Sequence, residues 1–105
     1  MKLTEYEAVL KASGLPVTYS HWPEGEAPTL PFICWDSPGT NNFAADGKVF
    51  SVANRVRAKL YTLLVDPETE KKLTDALDAA DIFWQREENE LEDEKCYEIT
   101  FESEV

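Results

Sequence analysis

A chain of 105 residues is one domain's worth of sequence, and 43% hydrophobic content with three tryptophans can build a single core, which excludes a disordered chain. A formal net charge of −11 argues against direct nucleic-acid binding, since phosphate recognition needs clustered Lys and Arg. No window approaches the roughly 18 apolar residues of a membrane span, and no apolar leader follows Met1-Lys2.

Thr4-Glu5-Tyr6-Glu7 has the form of a capping box, and Leu3, Tyr6, Val9 and Leu10 then share one helical face. With Gly14 after the last turn and Pro16 behind it, the spacing predicts a short amphipathic helix over 5–12. Val17–Trp22, rich in β-branched and aromatic residues, predicts a strand, and the proline-rich stretch Pro23–Pro31 a loop. Phe32-Ile33-Cys34-Trp35 is apolar on both faces, as a strand covered on each side would be. Asp36-Ser37-Pro38-Gly39 has turn chemistry and opens a long polar loop, Thr40 to Lys48, in which Asp46-Gly47 is a favoured hairpin turn.

Val49–Leu64 is the longest strand candidate. Val52, Val56, Ala58, Leu60, Thr62 and Leu64 fall on one face; Ala53, Arg55, Arg57, Lys59, Tyr61 and Leu63 fall on the other. Asp66 as cap with Pro67 at the first position starts a helix over about 68–80, with Leu73, Ala76, Leu77 and Ala80 as its apolar stripe and Glu68 with Lys72 as an ion pair. Ile82-Phe83-Trp84 opens a further strand, Glu88-Asn89-Glu90 suggests a turn or bulge, and Lys95–Glu104 is the last strand, with Glu98, Glu102 and Glu104 on its polar face. The order α-β-β-β-α-β-β predicts a single-domain α+β fold over residues 1–105: one antiparallel or mixed β-sheet with two helices packed on it.

The chain offers little catalytic chemistry, and we read it as a non-enzyme. His21 is the only histidine, and no spacing pairs it with a serine or cysteine nucleophile and a third group to orient the ring. Cys34 and Cys96 with His21 lack the close-paired spacing of a structural zinc site; both thiols are expected to be free and buried. The acidic run Glu87, Glu88, Glu90, Glu92, Asp93 and Glu94 lacks the order of a calcium loop and is too hydrophilic to shield a catalytic carboxyl pair. No glycine-rich phosphate loop is present. Neither cofactor nor metal is expected.

The charge is unevenly spread. Residues 1–65 hold 6 acids and 6 bases, whereas residues 66–105 hold 15 acids and 4 bases. Against that acidic half stands the stripe Arg55, Arg57, Lys59. Two readings stand side by side: cross-strand pairing of the stripe with Glu98, Glu102 or Glu104 in the same chain, and pairing of the same groups between copies, closing a ring.

The segments Pro31-Phe32-Ile33-Cys34-Trp35, Asn42-Phe43-Ala44-Ala45-Asp46-Gly47-Lys48-Val49-Phe50, Arg57-Ala58-Lys59-Leu60-Tyr61-Thr62, Asp66-Pro67-Glu68-Thr69-Glu70 and Glu92-Asp93-Glu94-Lys95-Cys96-Tyr97-Glu98-Ile99-Thr100-Phe101-Glu102 follow one another in a familiar order. Together they resemble the small tail-completion or tail-terminator proteins of long-tailed phages and prophages of Gram-positive bacteria, over nearly the whole chain. The resemblance implies a subunit that assembles into a ring, commonly a hexamer, which caps the tail tube and meets the head–tail connector. It implies residence in the host cytoplasm during assembly and in the virion tail afterwards, with no direct contact to nucleic acid or membrane. The interface residues it implies are Asn41, Asn42, Phe43 and Asp46 on the long loop, Phe43 being its apolar anchor, with the stripe Arg55, Arg57 and Lys59; Glu98 and Glu102 join them as the acidic counterparts read from the charge pattern. The competing reading is a small acidic inhibitor that mimics DNA with the carboxylates of residues 87–104 and targets a basic host enzyme.

Overall fold

The computed structural model describes residues 1–45, 47–91 and 95–105, with side chains for all of these except 43–45 and 48–51. Among them are two helices, α1 (Leu3–Lys11) and α2 (Pro67–Ala79), and five strands, β1 (Val17–Tyr19), β2 (Phe32–Ala45), β3 (Lys48–Thr62), β4 (Trp84–Leu91) and β5 (Cys96–Glu104). The strands form one mixed sheet in the order β1-β2-β3-β5-β4, with β1 parallel to β2 and every other pair antiparallel. The expected α+β architecture and element order are those observed.

Both helices lie on the same face of the sheet. Tyr6 and Leu10 of α1 and Leu73 and Leu77 of α2, each pair at the i, i+4 spacing of one helical face, bury against Ile33, Trp35, Val56, Ala58, Leu60, Ile99 and Phe101. The alternation predicted for β3 is realised at Val56, Ala58, Leu60 and Thr62, all buried. It does not extend to Val52, which is exposed, or to Leu64, which is exposed beyond the strand's last residue, Thr62.

Helix α1 starts earlier than the Thr4 capping box predicts. Lys2 is the extended cap residue, and the Glu5 carboxylate accepts a hydrogen bond from its backbone N–H at 3.2 Å. Thr4 is therefore inside the helix, and the extra residues bring Leu3 onto the core. Strand β1 stops at Tyr19 rather than Trp22, since Ser20 takes a left-handed conformation with φ 65° and breaks the extended run. Trp22 instead packs edge-on against Phe32, which in turn meets Tyr61, so aromatic rings cover this end of the face away from the helices.

The turn expected at Asp36-Ser37-Pro38-Gly39 is a bulge. The register jumps from Asp36↔Arg57 to Gly39↔Arg55, and the strand continues on the far side. Proline is tolerated there because a bulged residue owes no ladder hydrogen bond. The expected polar loop from Thr40 is likewise strand: Thr40 to Phe43 pair with Asn54 to Ser51 and, after a second register shift, Ala44 and Ala45 pair with Val49 and Lys48. The pairing Ala45↔Lys48 leaves two residues between, of which Gly47 has φ 75°, suited to a tight hairpin. Asp46 lies outside the described residues. The turn or bulge expected at Glu88-Asn89-Glu90 is also regular strand, paired with Ile99, Glu98 and Tyr97.

Helix α2 begins as its cap signature predicts. The Asp66 carboxylate accepts from the Thr69 N–H at 3.2 Å and from the Thr69 hydroxyl at 2.5 Å. Its i, i+4 ion pair is Lys71–Asp75 at 2.7 Å, rather than the expected Glu68–Lys72. The donors from Thr69 hold the Asp66 carboxyl below its ordinary value of 3.8. A depressed acid stabilises the fold above the unfolded value and loses that contribution as pH falls through the folded one. Asp66→Asn is therefore expected to melt below the wild type at neutral pH, with the gap closing under acid conditions, as thermal melts across pH would record. A constant gap would mean that the charge at the cap contributes nothing.

Candidate interaction surface

The face of the sheet turned away from the helices carries the predicted stripe. Arg57 stands between two acids, with Asp36 opposite it on β2 and Glu102 opposite it on β5. Its guanidinium forks onto the Asp36 carboxylate at 2.8 and 2.9 Å. That hydrogen-bonded carboxylate holds the guanidinium pKa above its ordinary range. Arg55 lies opposite Glu104. Glu104 itself accepts a hydrogen bond from the Asn41 side-chain amide across β3. Lys59 lies opposite Thr100, and Tyr61 donates its hydroxyl to Glu98 at 2.9 Å.

Of the two readings of the stripe, the cross-strand one has a direct counterpart in this register. The partner of Arg57 is nevertheless Asp36, a residue that the turn signature hid, and not a C-terminal glutamate. The predicted interface residues therefore divide. Asn41 joins Arg55, Arg57, Lys59, Glu98 and Glu102 on this ladder, and Asn42 is exposed beyond it. The Phe43 backbone pairs with Ser51, but the Phe43 side chain and the acids Glu92, Asp93 and Glu94 lie outside the described residues, as Asp46 does.

A concavity of about 350 Å³ opens at the bulge, lined by Pro38, Arg55, Arg57, Phe83, Gln85 and Glu102 among others. Phe83 is 78% exposed at its rim. At the opposite end of the sheet Leu63, Leu64 and Val65 form an exposed apolar run between β3 and α2, beside a groove of about 280 Å³ with Leu30 and Pro31. The strand-like pattern of 49–64 hid this run, because it placed Leu63 and Leu64 on a ladder that ends at Thr62.

The most unusual feature is a two-stranded arm. Strand β1 pairs with β2 only up to Trp35, and β5 accompanies β3 only as far as Val105, which exchanges two hydrogen bonds with Asn54. Beyond those points, Asn41 to Ala45 and Lys48 to Ala53 pair with each other alone among the described residues. The molecule is correspondingly long, with extents of 50 × 28 × 22 Å.

Ser20 Oγ lies 3.1 Å from His21 Nδ1, but the two are neighbours in an exposed segment. Among the described residues no three His, Cys, Asp or Glu side chains gather as metal ligands. Cys34 and Cys96 are both buried and neither forms a disulfide, and burial pushes the Cys34 thiol up, with Lys59 opposing. No described helix is long and apolar enough to cross a membrane.

These features define an α+β protein with one helix-covered face, one charged open face and a projecting ribbon. Compared with known proteins, the chain matches no family model, no curated protein and no solved structure.

Proposed function

We propose that this protein is an assembly subunit of a long-tailed phage or prophage, one that forms a ring, caps the tail tube and meets the head–tail connector. Its partners are then further copies of itself, the tube protein and the connector, encountered in the host cytoplasm and retained in the virion tail. The observation that carries this reading is the two-stranded arm, Asn41 to Ala45 with Lys48 to Ala53, projecting from an otherwise compact sheet. An isolated hairpin gains little stability from its own contacts, and the exposed Asn41, Asn42 and Val52 of this one offer a surface that a neighbouring subunit would cover. The sequence resemblance supplies the identity of that assembly.

The test is to add the purified protein to polymerising tail tubes and measure tube length. Tubes shortened in proportion to added protein, with the protein found at one end, are the expected result. Tubes that grow unaffected overturn the proposal.

The second reading, an acidic inhibitor of a basic enzyme, is favoured by the exposed carboxylates Glu87, Glu88 and Glu90 on edge strand β4. It requires binding that weakens steeply with salt and leaves tube growth untouched.

A further inference from the structure

At the bulge, one cation is left over. Arg55 is exposed and forms no ion pair with any described residue. Its neighbours are already engaged: Arg57 forks onto Asp36, and Glu104, the residue opposite Arg55, accepts from Asn41. The guanidinium lies over the bulge, where a Cβ on Gly39 would stand 3.7 Å from Nη1. The concavity of about 350 Å³ beside it has the exposed ring of Phe83 on its rim. This end of the sheet therefore presents one unpaired cation next to one uncovered aromatic ring.

The other end presents the converse. Leu63, Leu64 and Val65 are 63%, 70% and 59% exposed, a contiguous apolar run rather than scattered single residues. The run leads through Asp66 into the first turn of α2, which carries Glu68. Glu68 is exposed and forms no ion pair with any described residue, the expected partner Lys72 included. Asp66 does not compete for a cation in the same way, since Thr69 takes both of its carboxylate oxygens. At about 3.3 Å per residue, Arg55 and Thr62 stand roughly 23 Å apart along β3. The unpaired cation and the unpaired carboxylate beyond Thr62 therefore cannot meet within one molecule.

We infer that these ends are the two halves of one contact, in which Leu63, Leu64, Val65 and Glu68 of one copy seat against Phe83 and Arg55 at the concavity of a second copy. The chemistry of each half selects the other. A carboxylate answers the guanidinium, and aliphatic side chains cover the aromatic ring, a residue type enriched at the centres of interfaces. Like ends do not serve: two bulges together leave both guanidinium groups unanswered, and two apolar runs together leave both carboxylates unanswered. A contact between two different surfaces is head-to-tail, so repetition closes a ring or runs on as a filament. The inference deepens the ring reading and rests on it, by naming the surfaces through which copies meet.

Charge exchange in the full chain tests it by sedimentation velocity. The wild type is expected to form concentration-dependent oligomers. Arg55→Glu and Glu68→Arg are each expected to weaken association about tenfold, with far-UV spectra like the wild type's. The chain carrying both is expected to regain wild-type association, because the pair is restored with its signs exchanged. Phe83→Ser, at a side chain that is 78% exposed, is expected to weaken association by a similar factor. If the wild type associates only on tail tubes, the same four variants are read there by tube length. Single reversals that associate as the wild type does, or a double variant that recovers nothing, overturn the contact and leave the ring reading standing. So does a species that stops at the dimer and ignores Arg55→Glu, since the apolar runs would then face each other. A wild type that is monomeric at every concentration and on tail tubes overturns both. Should a reversal lose its spectrum, Phe83→Ser decides, and undiminished association of that variant sinks the inference.

Discussion

Phe101→Ala is expected to cost about 3–5 kcal/mol, the range for a large aromatic removed from a rigid core. Phe101 is fully buried in β5, between Ala58 on β3 and Arg86 on β4. Its ring meets Trp84 edge-on with centroids 5.6 Å apart, so truncation also strips an aromatic contact from the strand beside it. Small domains have a total stability of roughly 5–15 kcal/mol, so a protein of this size would retain little of it. A urea titration should show the midpoint falling steeply at unchanged slope. A loss under about 1 kcal/mol would mean that the helices do not close over this part of the sheet as described.

Arg57→Glu is expected to be the most damaging change on the open face, at about 2 kcal/mol, since hydrogen bonds to charged groups commonly contribute about 1.5–3 kcal/mol and solvent screens the exposed part of this pair. The substitution removes a two-pronged contact to Asp36 and aligns three carboxylates across β2, β3 and β5. Added salt should restore part of the loss in a thermal melt, because the new term is repulsion at the surface. Equal melting of variant and wild type at low salt would show that the fork is not formed in solution. Failure of this variant to assemble would thus report on the sheet itself, and it cannot stand as a test of contact between copies.

The residues that misled the sequence reading share a cause. Asp36-Ser37-Pro38-Gly39 does have turn chemistry, and the chain does deviate there, but a bulge and a turn draw on the same residue types. Thr40 to Asn42 and Glu88 to Glu90 lack the apolar alternation that marks a strand, because these residues are exposed and face no core. They are extended because the other strand of the same hairpin satisfies their backbone groups, as in the pairs Glu88–Ile99 and Asn41–Ala53. The candidate surface was half legible. The cations and the C-terminal glutamates were correctly placed on open-facing positions by period-two counting, while Asp36 and the arm were not visible to it.

What the sequence determined by itself was whatever depends on a few neighbouring residues: the element order, the buried stripe of each helix, the cap at Asp66, the two faces of β3 and the acidic second half. Those follow from helical and strand periodicity and from capping geometry, which are local. The tertiary structure alone decided that a polar stretch becomes a ribbon and that Arg57 meets Asp36. Each of those is a question of which other segment supplies the hydrogen-bond partner, and the pattern within one segment does not encode that answer.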